Sequence, residues 1–292
     1  MARPPRIFDR TAVRRHRDRA AAAAAAHDFL IREVADRLAD RLPDVRRRFP
    51  LALDLGCHGG QLARVLDGRG GIGHLVQAEL SGAMLAAAAG SRVHCDEEAP
   101  PFADDRFDLV LSVLSLHWLN DLPGVLARIR RMLKPDGLFL GAMLGAGSLD
   151  ELRQALLAAE IDASGGASPR VSPFVDLRDA GGLMQAAGFA LPVVDTDRIV
   201  LSYADPFALM RELRGLGEAN ALADRAKVFT RRALIAAAAG LYHQRHADAD
   251  GRVPASFQVI YLTGWAPDAG QPKPLRPGSA QARLGDVLGD DG

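Results

Sequence analysis

The sequence predicts an α/β protein with a doubly wound, mostly parallel sheet and helices on both faces. Short apolar runs alternate with helical patterns between Leu51 and Leu144, and such runs are typical of strands that are buried on both faces. No repeat signature accompanies the alternation, which favours an open sheet over a barrel. The 292 residues suffice for one large domain with an accessory part.

Seven strands and their connecting helices follow from these patterns. The predicted strands are 51–55, 72–80, 91–98, 106–116, 138–144, 188–201 and 255–265. The predicted helices are 9–42, 61–66, 81–89, 121–133, 148–160, 176–187 and 205–247. The tetrapeptide KPDG at 134–137 is a predicted turn before the fifth strand. Ser81 is a suitable N-cap for the third of these helices.

The same patterns divide the chain into parts. Residues 1–44 form a helical N-terminal segment, 45–266 form the main domain, and 267–292 form a flexible tail rich in Pro, Gly and polar residues. A helical insert at about 202–252 separates the sixth and seventh strands. We expect this insert to be a lid that selects the substrate.

Composition excludes several classes of protein. The formal net charge is zero, which gives no general attraction to nucleic acid or an acidic membrane. Cys57 and Cys95 are the only cysteines and form no C-x-x-C motif, so a zinc or redox site is not expected. No apolar run approaches the roughly 20 residues of a membrane helix. The arginine-rich N-terminus could pass for a transit peptide, although Asp9 and Asp18 argue against one.

A glycine loop follows the first strand in LALDLGCHGGQL, residues 51–62. A dinucleotide fingerprint would need glycine at position 58, where this chain has His58. The pattern is instead D-x-G-x-x-x-G, formed by Asp54, Gly56 and Gly60. The glycines allow close approach of a ligand to the backbone. A histidine can be accommodated between them unless its φ is positive.

This pattern resembles motif one of the class I S-adenosylmethionine-dependent methyltransferases, which have a Rossmann-like fold. The stretch from Phe102 to Val110 is similar to their LPF…FDLV motif. The resemblance implies that Asp54 anchors the amino end of the cofactor, that Glu79 accepts the ribose hydroxyls, and that Asp96 meets the adenine amino group. It implies S-adenosyl-L-methionine as the cofactor and no metal. The full set of cofactor-binding candidates is Asp54, Gly56, Cys57, Gly60, Glu79, Leu80, Asp96, Glu97 and Ser112.

The exit of the fourth strand, SVLSLHWLND, supplies the catalytic candidates. In the resembling fold this loop lies beside the transferred methyl group. His117 is the candidate base and Trp118 the candidate wall of the substrate pocket. The alternative is that both side chains pack under the next helix. Methyl transfer depends mainly on positioning, so a base is needed only if the acceptor holds a proton.

Two histidine patterns could bind metal. His94 and Asp96, in HCD, are two of the ligand types that non-haem iron oxygenases use. His243 and His246 lie three apart on a predicted helix, a spacing that can share a metal. We expect neither to be a metal site, because Asp96 is assigned to adenine and no third ligand is evident near the second pair.

A narrower resemblance extends over nearly the whole chain. IFDR, SPRVSPF, GEAN, DGRVPA and RPGSA occur in the order found in the methyltransferase-fold assembly factors of respiratory complex I. The malonyl-acyl-carrier-protein methyltransferases of biotin synthesis are similar in the first half but match the tail less well. The main expectation is a methyltransferase that acts on a protein substrate, such as a complex I subunit, or on a carrier-linked small molecule. An arginine hydroxylase of complex I assembly and a non-catalytic assembly chaperone are the alternatives, and the expected location is cytoplasmic.

Overall fold

One seven-stranded sheet organises residues 5–272, the part of the chain described by the structure, a computed structural model. The strands are β1 (Phe49–Leu55), β2 (Ile72–Glu79), β3 (Ser91–His94), β4 (Phe107–Val113), β5 (Leu133–Leu144), β6 (Ala190–Tyr203) and β7 (Val253–Trp265). Their order is β3-β2-β1-β4-β5-β7-β6, and only β7 runs antiparallel to its neighbours. The predicted fold class is therefore confirmed.

The order of the strands fixes where a ligand can bind. The chain leaves β1 toward β2 on one side and later returns to β4 on the other. Ligands of open α/β sheets bind at the carboxyl ends of the strands beside such a reversal. The loops after β1, β2, β3 and β4 therefore meet at one edge, which we call the carboxyl edge.

Nine α-helices surround the sheet in the described residues. They are α1 (Arg10–Ala20), α2 (Phe29–Ala39), α3 (Gln61–Leu66), α4 (Gly82–Ala86), α5 (Leu122–Met132), α6 (Asp150–Ser164), α7 (Leu177–Ala186), α8 (Pro206–Leu216) and α9 (Arg232–His246). Ser81 caps α4 as predicted, because its hydroxyl accepts a hydrogen bond from Met84 N at 3.1 Å.

Alternation along the strands produces two separate cores. On β4, Leu109 and Leu111 face the core under α2 and α8, whereas Val110 faces the core under α5 and α7. All three residues are fully buried. Both faces of the sheet are thus covered, as the apolar strand sequences predict.

Three predicted elements differ in the structure. The helix expected over 9–42 is two helices, because the alanines of Ala21–Ala26 form a 3₁₀-helix with no buried side chain to hold it on the sheet. KPDG is not a separate turn but an irregular part of β5, with Asp136 at φ 60°. The expected helical run 205–247 is interrupted at 217–231, since Gly217 ends α8 at φ 84°.

The lid insert covers the carboxyl edge only in part. Helix α8 and the segment after it approach the β4 exit, whereas α9 packs against α6 and β7. The division at residues 44 and 266 stays a prediction. Residues 1–4 and 273–292, which include most of the predicted flexible tail, lie outside the described residues.

Candidate functional site

The glycine loop is held tightly between β2 and β4. The amides of Gly56 and Cys57 both donate to the carbonyl of Ala78, at 2.8 and 3.0 Å. Gly56 has φ 77°, and a Cβ there would lie 2.2 Å from Ser115 Oγ. Gly60 has φ 79° and is the N-cap residue of α3. Side chains are excluded at both glycines by conformation and by space.

His58 is the unusual residue of this loop. Its φ is 51°, so the condition for unstrained accommodation of a histidine is not met. The ring is buried, and its Nε2 lies 3.0 Å from the carbonyl oxygen of Val113. Burial and the charge of Arg17 lower the pKa of His58, so the ring is neutral and must donate from Nε2. His58 therefore ties the loop to the end of β4.

Asp54 is a buried carboxyl without a hydrogen-bond partner among the described residues. Burial, and next the charge of Glu79, raise its pKa to about 8. An unpaired buried carboxyl is costly unless a ligand satisfies it. The ammonium group of the methionine tail would do so. The residues present thus fit S-adenosylmethionine, and Asp54 would hold its amino end.

Glu79 ends β2 and is completely buried. Its Oε2 accepts from the amide of His58 at 2.9 Å, and its Oε1 accepts from the amide of Ser81 at 2.9 Å. The same Oε1 accepts from Arg17 Nη1 at 2.9 Å. The acid assigned to the ribose is therefore in place at the strand end and is bound to an arginine of α1.

Asp96 and Glu97 follow β3 and also bind arginines of α1. Arg10 contacts both carboxylates, with Nη2 2.6 Å from Asp96 Oδ1. Arg17 Nη1 lies 2.9 Å from Glu97 Oε1. Burial alone would raise the pKa of Glu97, but the charges of Arg10 and Arg17 outweigh it and lower that pKa to about 2. Glu97 is thus ionised and paired inside the protein.

Sequence reasoning did not single out Arg10 and Arg17 among the arginines of the N-terminal segment. They lie seven residues apart, two turns on one helix face, and Arg17 is fully buried. That spacing was the available signal, but nothing in the sequence placed the face against the β2 and β3 exits.

The remaining cofactor candidates lie at the same edge with structural partners. Ser112 donates to the carbonyl of Leu55 at 2.7 Å and so joins β4 to β1. Leu80 packs in a small cluster with Phe8 and Trp118. The thiol of Cys57 is buried, and burial raises its pKa above the ordinary range. Their roles as cofactor contacts stay predictions.

His117 and Trp118 share one partner, Glu218, which the sequence did not single out. His117 Nε2 lies 3.1 Å from Glu218 Oε2, and Trp118 Nε1 donates to Oε1 and Oε2 at 3.0 and 2.9 Å. Burial alone would raise the pKa of Glu218, but His117 and hydrogen bonds lower it. Trp118 also packs edge-on against Phe8, with ring centroids 5.3 Å apart. Packing and a polar role thus coexist at this loop.

A cavity of about 170 Å³ opens beside these side chains. Its apolar walls come from α2, β5, α6, α8 and β7, together with the β4 exit and the 170–174 loop. Its polar lining includes His117, Glu218, Asn220, Arg170 and Arg214. Asp54, Glu79 and Asp96 do not line it, so the cofactor acids and this cavity are separate parts of the carboxyl edge.

Neither histidine pattern forms a metal site in residues 5–272. His94 Nε2 lies 2.9 Å from the Leu80 carbonyl, and Asp96 is paired with Arg10. His243 Nε2 lies 3.2 Å from the Gly251 carbonyl. Within that range, no three His, Cys, Asp or Glu side chains are grouped to hold a metal.

Known proteins resemble this chain over most of its length. The family described as "Methyltransferase domain" matches residues 53–141. The mitochondrial arginine-hydroxylase NDUFAF5 of Danio rerio is 41% identical over 288 residues, covering 96% of this chain and 89% of that protein. The human protein of the same name is 42% identical over 288 residues, covering 96% of this chain and 83% of that protein. The chain therefore belongs to the same family as these arginine-hydroxylase NDUFAF5 proteins.

A second group of relatives is similar over slightly less of the chain. The malonyl-[acyl-carrier protein] O-methyltransferase of Laribacter hongkongensis is 37% identical over 277 residues, covering 89% of this chain and 91% of that protein. Among solved structures, a methyltransferase of Bacillus halodurans aligns with a TM-score of 0.54 at 16% identity, covering 79% of this chain and 99% of that one. The structural likeness confirms the methyltransferase fold.

These comparisons decide several expectations. Family membership, the fold, an enzymatic activity and S-adenosylmethionine as the cofactor are confirmed. The expected kind of partner, a protein or a carrier-linked molecule, agrees with the names of these relatives. The expected cytoplasmic location is wrong, because the arginine-hydroxylase relatives are mitochondrial proteins. No helix within residues 5–272 is long and apolar enough to cross a membrane.

Proposed function

We propose that this protein modifies an arginine side chain of a protein during assembly of respiratory complex I. Hydroxylation, the activity in the name of its relatives, is the first candidate reaction. In it, dioxygen and a two-electron donor from outside the chain would place one oxygen atom on the arginine side chain and release the other as water. The human relative is 42% identical over 288 residues, compared with 37% over 277 residues for the acyl-carrier-protein methyltransferase of Laribacter hongkongensis.

The observation that carries the proposal is the carboxylate of Glu218 at the apolar cavity. An arginine side chain has an apolar stem and a planar cation with five donors, which a buried carboxylate recognises well. A malonyl group ends in a carboxylate and would meet Glu218 with like charge. Of the arginines in the lining, Arg170 is already paired with Glu160 at 2.7 Å, and Arg214 is exposed.

The chain's own residues divide the remaining tasks. Asp54 and Glu79 would hold the amino end and the ribose of the cofactor, which supplies an activated methyl group when bound. His117 fixes the orientation of Glu218 by hydrogen bonding, and Trp118 donates to both oxygens of the same carboxylate. Glu218 would then hold the guanidinium in one orientation, and positioning of this kind supplies much of an enzyme's acceleration.

Methylation of the arginine is a second candidate, favoured by one observation. The acids assigned to the cofactor all remain at the strand ends, and Asp54 has buried oxygens without a partner. A cofactor site kept in this form suits a protein that still uses the methyl group. The same substrate pocket serves both candidates, so the mass added to arginine separates them.

The test is mass spectrometry of complex I subunits from a strain that lacks this gene. Loss of one oxygen mass on a single arginine supports hydroxylation, and loss of one methylene mass supports methylation. Complementation with wild type should restore the mark, whereas Glu218→Gln should not. Glu33→Gln, a surface carboxylate of α2 paired with Arg37, is the matched control and should restore it.

One result of the same experiment would contradict the proposal. If no arginine mark changes but complex I assembly still fails, the protein acts as a non-catalytic chaperone.

A further inference from the structure

The first helix, α1, occupies the carboxyl edge where the cofactor acids lie. Its fully buried Arg17 binds Glu79 and Glu97 at 2.9 Å each and lies 3.1 Å from Ser115 Oγ. Its first residue, Arg10, binds Asp96 and Glu97. The side chains assigned to ribose and adenine are therefore bound to two guanidinium groups of the chain itself.

Glu79 does not have enough acceptor capacity for Arg17 and a ribose together. A carboxylate offers about four lone-pair directions. Three are used, by the amides of His58 and Ser81 and by Arg17 Nη1. A ribose presents two hydroxyl donors, so its recognition by Glu79 requires that Arg17 leave.

The helix is docked by contacts that can break without unfolding the sheet. Phe8 packs on Trp118, the carboxylate of Asp18 accepts from the Ser81 hydroxyl at 2.5 Å, and Asp9 pairs with Arg225 at 3.1 Å. None of these contacts belongs to the ladders of the sheet. They hold α1 against loops and against the segment that follows α8.

We propose that α1 is a latch whose Arg17 guanidinium competes with the cofactor ribose for Glu79, so that cofactor binding requires α1 to move off the carboxyl edge. The latch closes an otherwise acidic site while no cofactor is bound. The latch also couples the cofactor acids to the segment that carries Glu218. The link is a hydrogen bond of 2.8 Å from Asp9 N to the carbonyl of Ala221, three residues after Glu218. Displacement of α1 would therefore loosen the segment that carries Glu218. This inference holds for hydroxylation and for methylation.

Hydrogen exchange on the wild-type chain tests the latch without any substitution. S-adenosylhomocysteine is the probe, and exchange is followed by mass spectrometry. We expect amides of 10–20 to exchange at least about tenfold faster when the probe binds, while those of the glycine loop, 56–60, exchange more slowly. Slower exchange of 10–20, or no change there, would overturn the proposal.

Calorimetry with the same probe supplies the second arm. Arg17→Met should bind S-adenosylhomocysteine at least about tenfold more tightly, because a closed latch reduces the fraction of protein that can bind. Phe8→Ala weakens the docking without touching an acid and should act in the same direction. Arg19→Met is the matched control, since Arg19 is exposed on the same helix and bonds only to the Arg15 carbonyl among the described contacts. Weaker or unchanged binding by both test variants would overturn the latch, and weaker binding by Arg17→Met would make Arg17 a contact to the cofactor.

Discussion

The two halves of the carboxyl edge are built on different principles. Under α1, the acids Glu79 and Glu97 are buried and paired with arginines. Beside the β4 exit, an apolar cavity of about 170 Å³ has Glu218 in its lining. The first half must exchange an internal cation for its ligand, whereas the second is already shaped for a side chain. Affinity for the cofactor therefore depends on a conformational change, and affinity for the substrate depends on a fixed carboxylate.

Among these predictions, removal of the Glu79 carboxylate should have the largest effect on stability and on cofactor binding. Glu79→Ala leaves the buried guanidinium of Arg17 with one carboxylate instead of two and frees the amides of His58 and Ser81. We expect the free energy of unfolding to fall by about 3–5 kcal/mol and cofactor binding to be lost. Urea unfolding measures the first effect, with Glu33→Ala as control. A loss below about 1 kcal/mol would mean that the arginine–acid cluster contributes little to stability.

Asp54→Asn should separate binding from stability. The carboxyl has no partner in the described chain, so we expect S-adenosylhomocysteine to bind at least about tenfold more weakly. Stability should follow pH with a definite sign. The folded pKa of Asp54 is about 8 against an ordinary 3.8, so below about pH 4 this group costs nothing and its penalty grows as pH rises toward 8.

The measurement is the difference in unfolding free energy between Asp54→Asn and wild type, without cofactor, at several pH values. The variant's relative stability should increase between about pH 5 and pH 8. A difference that stays constant over this range would show that Asp54 titrates normally.

Glu218→Gln should affect the second half alone. The amide oxygen can still accept from Trp118, so the fold should change little, whereas the charge that would attract a guanidinium is lost. We expect the arginine mark to disappear and the affinity for S-adenosylhomocysteine to stay within about threefold. An intact arginine mark in this variant would remove Glu218 from substrate recognition.

His58→Gly should have the smallest effect. Glycine adopts φ 51° readily, which relieves about 1 kcal/mol of backbone strain. The substitution also removes the hydrogen bond to the Val113 carbonyl, which is of similar size. Cofactor binding, measured by calorimetry, should therefore be unchanged or slightly tighter. A clear loss of affinity would show that the His58 imidazole contacts the ligand.

The sequence predicted the parts of this edge that depend on local pattern. Asp54, Gly56, Gly60 and Glu79 lie at the predicted strand ends, because apolar runs define the strands and glycines define the loop. His117 was also found by its position after β4.

Long-range pairing explains what the sequence could not predict. Glu218 lies 101 residues from His117, with which it bonds, and Arg17 lies 62 residues from Glu79. The sequence contains no local signal that identifies the two partners of either pair. An exposed helix and a buried one with two inward arginines have similar sequences, since the arginine stems are apolar and only the docked surface decides their burial.

Side-by-side calorimetry of Asp54→Asn and Glu218→Gln tests the division of the edge most directly. S-adenosylhomocysteine is titrated into each variant and into wild type under the same conditions. The predicted result is a loss of at least about tenfold for Asp54→Asn and a change within about threefold for Glu218→Gln. Equal losses in the two variants would contradict the division and show a single site that both carboxylates build.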